Sequence, residues 1–142
     1  MTDSTADPDC PFCKIVAGTI GARTVYEDDH ALAFLDLTAW QRGHTLVIPK
    51  RHTPNLLTGP SLLVDIAPAI EATARLLVDR LGADGLNLVS SAGEAAGQTV
   101  HHLHVHLVPR YADRPGLAHL VEPQEVSAAE LDAVHAQITG SR

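Results

Sequence analysis

His101-His102-Leu103-His104-Val105-His106-Leu107-Val108-Pro109 is the stretch on which the reading of the fold turns. From His102 to Leu107 polar and apolar residues alternate strictly, the pattern of a half-buried β-strand. Successive strand side chains leave on opposite faces, so His102, His104 and His106 project on one side and Leu103, Val105 and Leu107 on the other. His101 belongs with the apolar side or with the start of the strand. One reading of the three imidazoles is a solvated strand face, which is how a lone histidine would be explained. A second is one metal ion held by all three. Residues i and i+4 of a strand lie ~13 Å apart, which is long for three ligands of one ion but suits two. A split of the rings between metal ligation and catalysis fits that spacing best.

Outward from this strand the pattern is of short strands around one long helix. A short helix is predicted over Phe12 to Ala17, ended by Gly18. Thr24 to Glu27 and Ala31 to Leu35 read as strands joined by the acidic turn Asp28-Asp29. Gly43 releases a third strand from His44, closed by Pro49, and Asn55 to Pro60 is a loop. Over residues 61–81, Leu62, Leu63, Ile66, Ile70, Thr73, Leu77 and Leu81 form one apolar helical stripe. Pro68 inside it predicts a late start or a kink, and Gly82 a stop. Leu86 to Ser90 reads as a fourth strand, Ser91 to Gly97 as a small-residue loop, and Leu103 to Val108 as a fifth strand ended by Pro109. A weak helix is predicted over Ser127 to Ile138. Strands grouped in this way predict an α+β domain: a five-stranded antiparallel meander with one long helix and short terminal helices. Residues 1–9 read as a disordered tail and residues 10–142 as a single domain.

The 142 residues suffice for one hydrophobic core. Acids outnumber bases 17 to 10, a net charge of -7, which argues against a general nucleic-acid binder needing a basic face. A small phosphorylated ligand stays compatible, since one pocket can be locally positive. The polar, acidic residues 1–9 do not read as a signal peptide, and no apolar run approaches the ~20 residues that span a bilayer. The expectation is a cytoplasmic protein with no membrane partner. Cys10 and Cys13 are the only cysteines. In a reducing compartment such a pair reads as a metal or redox site rather than a structural disulfide.

The run from Gly97-Gln98-Thr99-Val100 through the histidines to Pro109 resembles the signature of the histidine triad (HIT) family, His-Φ-His-Φ-His-Φ-Φ with Φ apolar. The resemblance extends to Phe34-Leu35-Asp36-Leu37, to the stretch Gly43 to His52, and to Cys10-Pro11-Phe12-Cys13-Lys14-Ile15. It covers most of residues 10–110 and is closest to the Hint-like branch in its bacterial Cys-x-x-Cys form.

That resemblance implies a nucleotide hydrolase in which His104 attacks the α-phosphorus of a nucleoside phosphoramidate or related adenylate. The intermediate is a nucleotidyl-histidine, which suits a neutral imidazole near pH 7. His106 would donate to a nonbridging phosphate oxygen. Gln98 and Thr99 match contacts to the phosphate or leaving group, although a loop hydroxyl at Thr99 also caps backbone groups. Asp36 matches the acid that holds the ribose hydroxyls, its plainer reading being a turn residue at a strand end. Phe12, Ile15 and Leu37 match positions around a purine base and could equally be core. Ser91 stands where the family usually has asparagine, seven residues before Gln98, so affinity and preference are expected to differ there. Cys10, Cys13, His52 and His102 resemble a structural zinc site, with His44 a possible substitute for His52. A homodimer with joined sheets is implied. The rival functions are a dinucleoside polyphosphate hydrolase or phosphorylase, and a low-turnover nucleotide-binding adaptor.

Overall fold

A computed structural model describes residues 6–114 and 123–140, so residues 1–5 of the expected tail lie outside it. Helix α1 (Pro11–Ala17) leads to strands β1 (Thr24–Glu27), β2 (Ala31–Leu35) and β3 (Thr45–Pro49). Helix α2 (Leu63–Leu81), strands β4 (Gly85–Val89) and β5 (Val105–Arg110) and helix α3 (Ala128–Ile138) follow. The chain is hydrogen-bonded already before α1, where the Cys10 N–H donates to the Asp7 carbonyl at 3.1 Å. The fold is α+β, an open antiparallel sheet of five strands in the order β1-β2-β3-β5-β4. The first three strands form a meander. α2 then carries the chain to the far edge, and β5 returns between β3 and β4.

Burial follows strand parity. Ala31, Ala33, Val47, Val105 and Leu107 pack beneath α2 with Ile66, Ala69, Ile70 and Leu77. The alternate residues Leu32, Phe34, Leu46 and Ile48 pack on the opposite face with Cys10, Phe12 and Cys13 of the α1 region. With both faces covered, β2 and β3 read as continuous apolar runs rather than alternating ones. His104 and His106 share the second face, which leaves them under α1 and the loops rather than under α2.

Most boundaries shift by no more than a single residue, and two departures from the sequence expectation have a physical reason. α2 begins at Leu63 and runs through Pro68, neither starting late nor breaking there. Pro68 is only the sixth helical residue, so its missing N–H deprives a single carbonyl, that of the exposed Val64. The fifth strand begins at Val105, not Leu103, and passes through Pro109 to Arg110. Ahead of Val105 the backbone bonds elsewhere: the Leu103 N–H donates to the Thr53 carbonyl at 2.7 Å. The ladder to β3 ends at Leu107 opposite Thr45, so at Pro109 β5 is a local edge on that side and loses no bond.

Candidate active site

A cavity of about 550 Å³ opens on the sheet face opposite α2. His104, His106, Thr99, Gln98, Phe12, Ile15, Asp36, Leu37 and Ser91, all singled out from the sequence for catalysis or substrate binding, line it together. α1 supplies Phe12 and Ile15, the end of β2 leads to Asp36 and Leu37, and the loop from β4 to β5 brings Ser91, Gln98 and Thr99. Gly43 makes the entry to β3 possible. Its φ is 88°, and a Cβ there would meet the Leu81 side chain at 2.4 Å, so only glycine delivers His44 at this point.

Hydrogen bonds assign the protons on both cavity imidazoles. The His104 Nδ1 lies 2.7 Å from the His102 carbonyl, which can only accept. Nδ1 therefore carries the hydrogen, and in the neutral ring Nε2 keeps a lone pair. The ring is nearly buried and stands edge-on to Phe12, with centroids 5.2 Å apart. His106 is fixed in the complementary sense by a relay. The Trp40 main-chain N–H donates to His44 Nδ1 at 3.0 Å, so neutral His44 holds its hydrogen on Nε2. That Nε2 donates to His106 Nδ1 at 2.9 Å. His106 is left with its hydrogen on Nε2. The cavity wall thus carries one imidazole fixed as an acceptor beside one fixed as a donor, ring centroids 5.0 Å apart.

Asp36 divides its carboxylate. Oδ1 accepts from the Thr38 N–H at 2.9 Å and its hydroxyl at 3.0 Å, the expected turn role, while Oδ2 lies 3.5 Å from His44 Nε2 at the cavity wall. Gln98 is fully engaged. Its amide donates to the Pro54 and Val100 carbonyls and its oxygen accepts from Asn55 and from the Gly93 N–H. All of its hydrogen-bonding capacity holds the loop together, which makes it a brace for Thr99 rather than a free phosphate contact. Sequence reasoning overlooked Trp40, Asn55 and Ser90. Ser90 donates to the His104 carbonyl at 2.8 Å and holds the backbone of that residue. His44, in sequence a possible substitute for His52 as a metal ligand, sits instead beside His106.

Cys10, Cys13, His52 and His102 converge at the N-terminus of α1. Sulfur to nitrogen distances are 3.4 Å for Cys10 to His102, 3.4 Å for Cys13 to His52 and 3.5 Å for Cys13 to His102, and the two Nδ1 atoms are 3.2 Å apart. A tetrahedral zinc with bonds of ~2.3 Å to sulfur and ~2.05 Å to nitrogen sets edges of about 3.6 Å and 3.3 Å, so the donor set fits. His102 Nε2 donates to the Pro49 carbonyl at 2.9 Å, which leaves its Nδ1 lone pair facing the centre. Burial pushes the Cys13 thiol up to about 11. Asp36, His44 and His106 also lie close together. There the nitrogens are already spent on the relay, and a metal on His44 Nε2 would force a hydrogen onto Nδ1 against the Trp40 N–H.

Burial, reinforced by His104 and His44 and opposed by Asp36, holds His106 down to about 4. His44 is lowered by burial in the same direction, against Asp36. An unfolded chain takes up these protons near pH 6.5 while the folded one refuses them. The unfolded state binds more protons in this window, so stability is complete above about pH 6.5 and declines as pH falls towards 4. Urea unfolding between pH 7 and 4.5 is expected to lose on the order of 2 kcal/mol through His106. His106→Gln should remove that share of the slope and leave the share due to His44 and His102, which burial also lowers; an unchanged slope would refute the assignment.

The family model of the HIT domain matches residues 17–113. A Streptococcus mutans protein of known crystal structure superposes with a TM-score of 0.86 at 41% identity, over 96% of this chain and 87% of its own. A histidine triad nucleotide-binding protein from Candida albicans superposes at 0.78 with 31% identity, over 92% and 95% of the two chains. The adenylylsulfatase HINT3 of Arabidopsis thaliana is 40% identical over 111 residues, which is 78% of this chain and 56% of that protein. Among the described residues no helix is long and apolar enough to cross a membrane.

Proposed function

The chain belongs to the HIT domain family, and from that membership we propose that it hydrolyses a nucleoside phosphoramidate or related adenylate through a nucleotidyl-His104 intermediate. The observation that carries this reading is the pairing of opposite proton states in one cavity. The His104 Nε2 lone pair is available to form a bond to phosphorus, and the His106 Nε2–H to hold a nonbridging oxygen as charge grows on it. In the first half-reaction the N–P bond to His104 forms as the bond to the leaving group breaks, and a leaving amine takes a proton from solvent. In the second, water attacks the same phosphorus and gives a proton back to solvent, the His104–P bond breaks, and the nucleoside monophosphate departs with the ring restored. Neither imidazole needs to change its tautomer between the two.

Asp36 would accept the ribose hydroxyls, while Phe12, Ile15 and Leu37 would enclose a purine. Thr99 would meet the phosphate or leaving group from a loop braced by Gln98, with Ser91 beside it. Cys10, Cys13, His52 and His102 would hold a zinc ion whose contribution is structural, tying α1 to the strand that carries His104. Residues 10–142 would act as one domain of the Hint-like, Cys-x-x-Cys form in the cytoplasm. A second copy would pair along β4, an edge strand that exposes Leu88.

A panel of nucleotide substrates assayed for AMP release, with and without added phosphate, tests the reading. AMP release without phosphate supports hydrolysis of a phosphoramidate or adenylate; ADP in place of AMP with a strict need for phosphate, or turnover of dinucleoside polyphosphates alone, would refute it. Asp36→Asn keeps the Thr38 turn but weakens the acceptor that faces the cavity. It is expected to raise KM for ribonucleotides about tenfold with a smaller fall in kcat, and to narrow the preference over 2'-deoxy substrates. Equal use of ribo and deoxy forms by the unaltered protein would remove Asp36 from this role.

A further inference from the structure

Trp40 is the only tryptophan in the chain, and it stands in the loop between β2 and β3 at the cavity rim with 42% of its surface exposed. Its indole lies flat on the His106 ring, with centroids 4.4 Å apart and planes 18° apart. The same indole packs on His44 at 4.6 Å. Its main-chain N–H heads the relay through His44 Nδ1. One residue therefore touches both imidazoles of the relay with its ring and one of them with its backbone.

We propose that Trp40 is the positioning residue of His106, its indole clamping the ring while its main-chain N–H dictates which nitrogen of that ring carries the hydrogen. The proposal rests on the hydrolytic reading for its kinetic consequence but not for its structural one. The torsion that turns an imidazole is soft and close to two-fold, so packing and hydrogen bonds must choose the orientation. For His106 those restraints are the His44 bond and the indole on its face. Without the indole, the loop loses its contact with both rings and the Trp40 N–H can leave His44 Nδ1. His44 can then carry its hydrogen on Nδ1 and accept on Nε2. His106 would in turn donate from its own Nδ1 and present a lone pair, not a hydrogen, to the cavity. A lone pair facing a phosphate oxygen repels it, so each molecule in that state is catalytically impaired.

The test uses Trp40→Ala and Trp40→Phe in the full chain. Nitrogen-15 NMR of the imidazoles at neutral pH, without substrate, is expected to show His106 as a single Nε2–H tautomer with ring protons shifted by the indole. Trp40→Ala should give mixed tautomers and lose the shift, and Trp40→Phe should restore the single tautomer. Turnover by Trp40→Ala should fall about tenfold in kcat with KM changed less than about twofold, and Trp40→Phe should recover most of it. The exposure of Trp40 predicts that both variants fold, which thermal melting checks. A Trp40→Ala protein that keeps a single Nε2–H tautomer overturns the proposal, whatever its turnover. The expected tautomer change in a protein that turns over no nucleotide would overturn the hydrolytic reading instead and leave the clamp standing.

Discussion

His104→Ala is expected to lower kcat by at least ~10³ with the fold and metal content unchanged. Among the described residues no second group can substitute for this ring. His106 offers the cavity a hydrogen, and His102 has its Nδ1 turned to the cysteines and its Nε2 to Pro49. The bond that fixes His104 comes from its own Nδ1 to a backbone carbonyl, and the alanine variant loses a ring that packs on Phe12 but no member of the metal cluster. Substrate affinity is therefore expected to change much less than kcat. Combining His104→Ala with His106→Gln should cost little more than the first change alone, because a donor to the phosphate oxygen is of use only when phosphorus is being attacked. Wild-type-like turnover in the alanine variant would dispose of the covalent route.

Purified protein is expected to carry about one zinc per chain, and Cys13→Ser to lose most of it together with at least ~5 °C of melting temperature. Cys10 and Cys13 belong to the start of α1, His52 follows β3 and His102 precedes β5, so only the folded chain assembles the four donors. Cys13 also receives the Asp7 N–H at 3.4 Å, and Cys10 the Cys13 N–H at 3.4 Å, bonds that suit thiolates. With the buried Cys13 thiol otherwise favouring its proton, metal binding has to displace it, and metal content should fall as pH is lowered. Serine cannot replace the soft sulfur. Phe12, between the two cysteines, would lose part of its hold on the cavity wall, so KM should rise as well. Metal-free protein, prepared without chelators and fully stable and active, would contradict this.

The sequence was most legible where chemistry and strand parity coincide. The alternation from His102 to Leu107 separated imidazoles from core residues, and that separation holds although the regular strand starts only at Val105. The apolar stripe of α2 was equally plain, because its periodicity survives one proline in the first turns. What escaped was contact between distant loops. Trp40 has no periodic partner, and its meeting with His106 depends on how one loop folds across the end of β3. His44 did leave a signal. It shares parity with Leu46 and Ile48, on the cavity face, and Leu46 pairs with His106. His52 lies beyond the opposite end of β3, beside the cysteines, so one strand delivers one histidine to each site. Gln98 misled in another way. Its residue type suits a phosphate contact, and only the count of its hydrogen bonds shows that the amide is already engaged in bracing the loop.

A covalent nucleotidyl group on His104 is open to mass spectrometry of protein quenched during turnover of an adenosine phosphoramidate. An adenylyl group is expected on the peptide containing His104, localised to that ring by fragmentation and absent from His104→Ala. Turnover with no adduct at any time after mixing, or an adduct on His106 or His44, would contradict it.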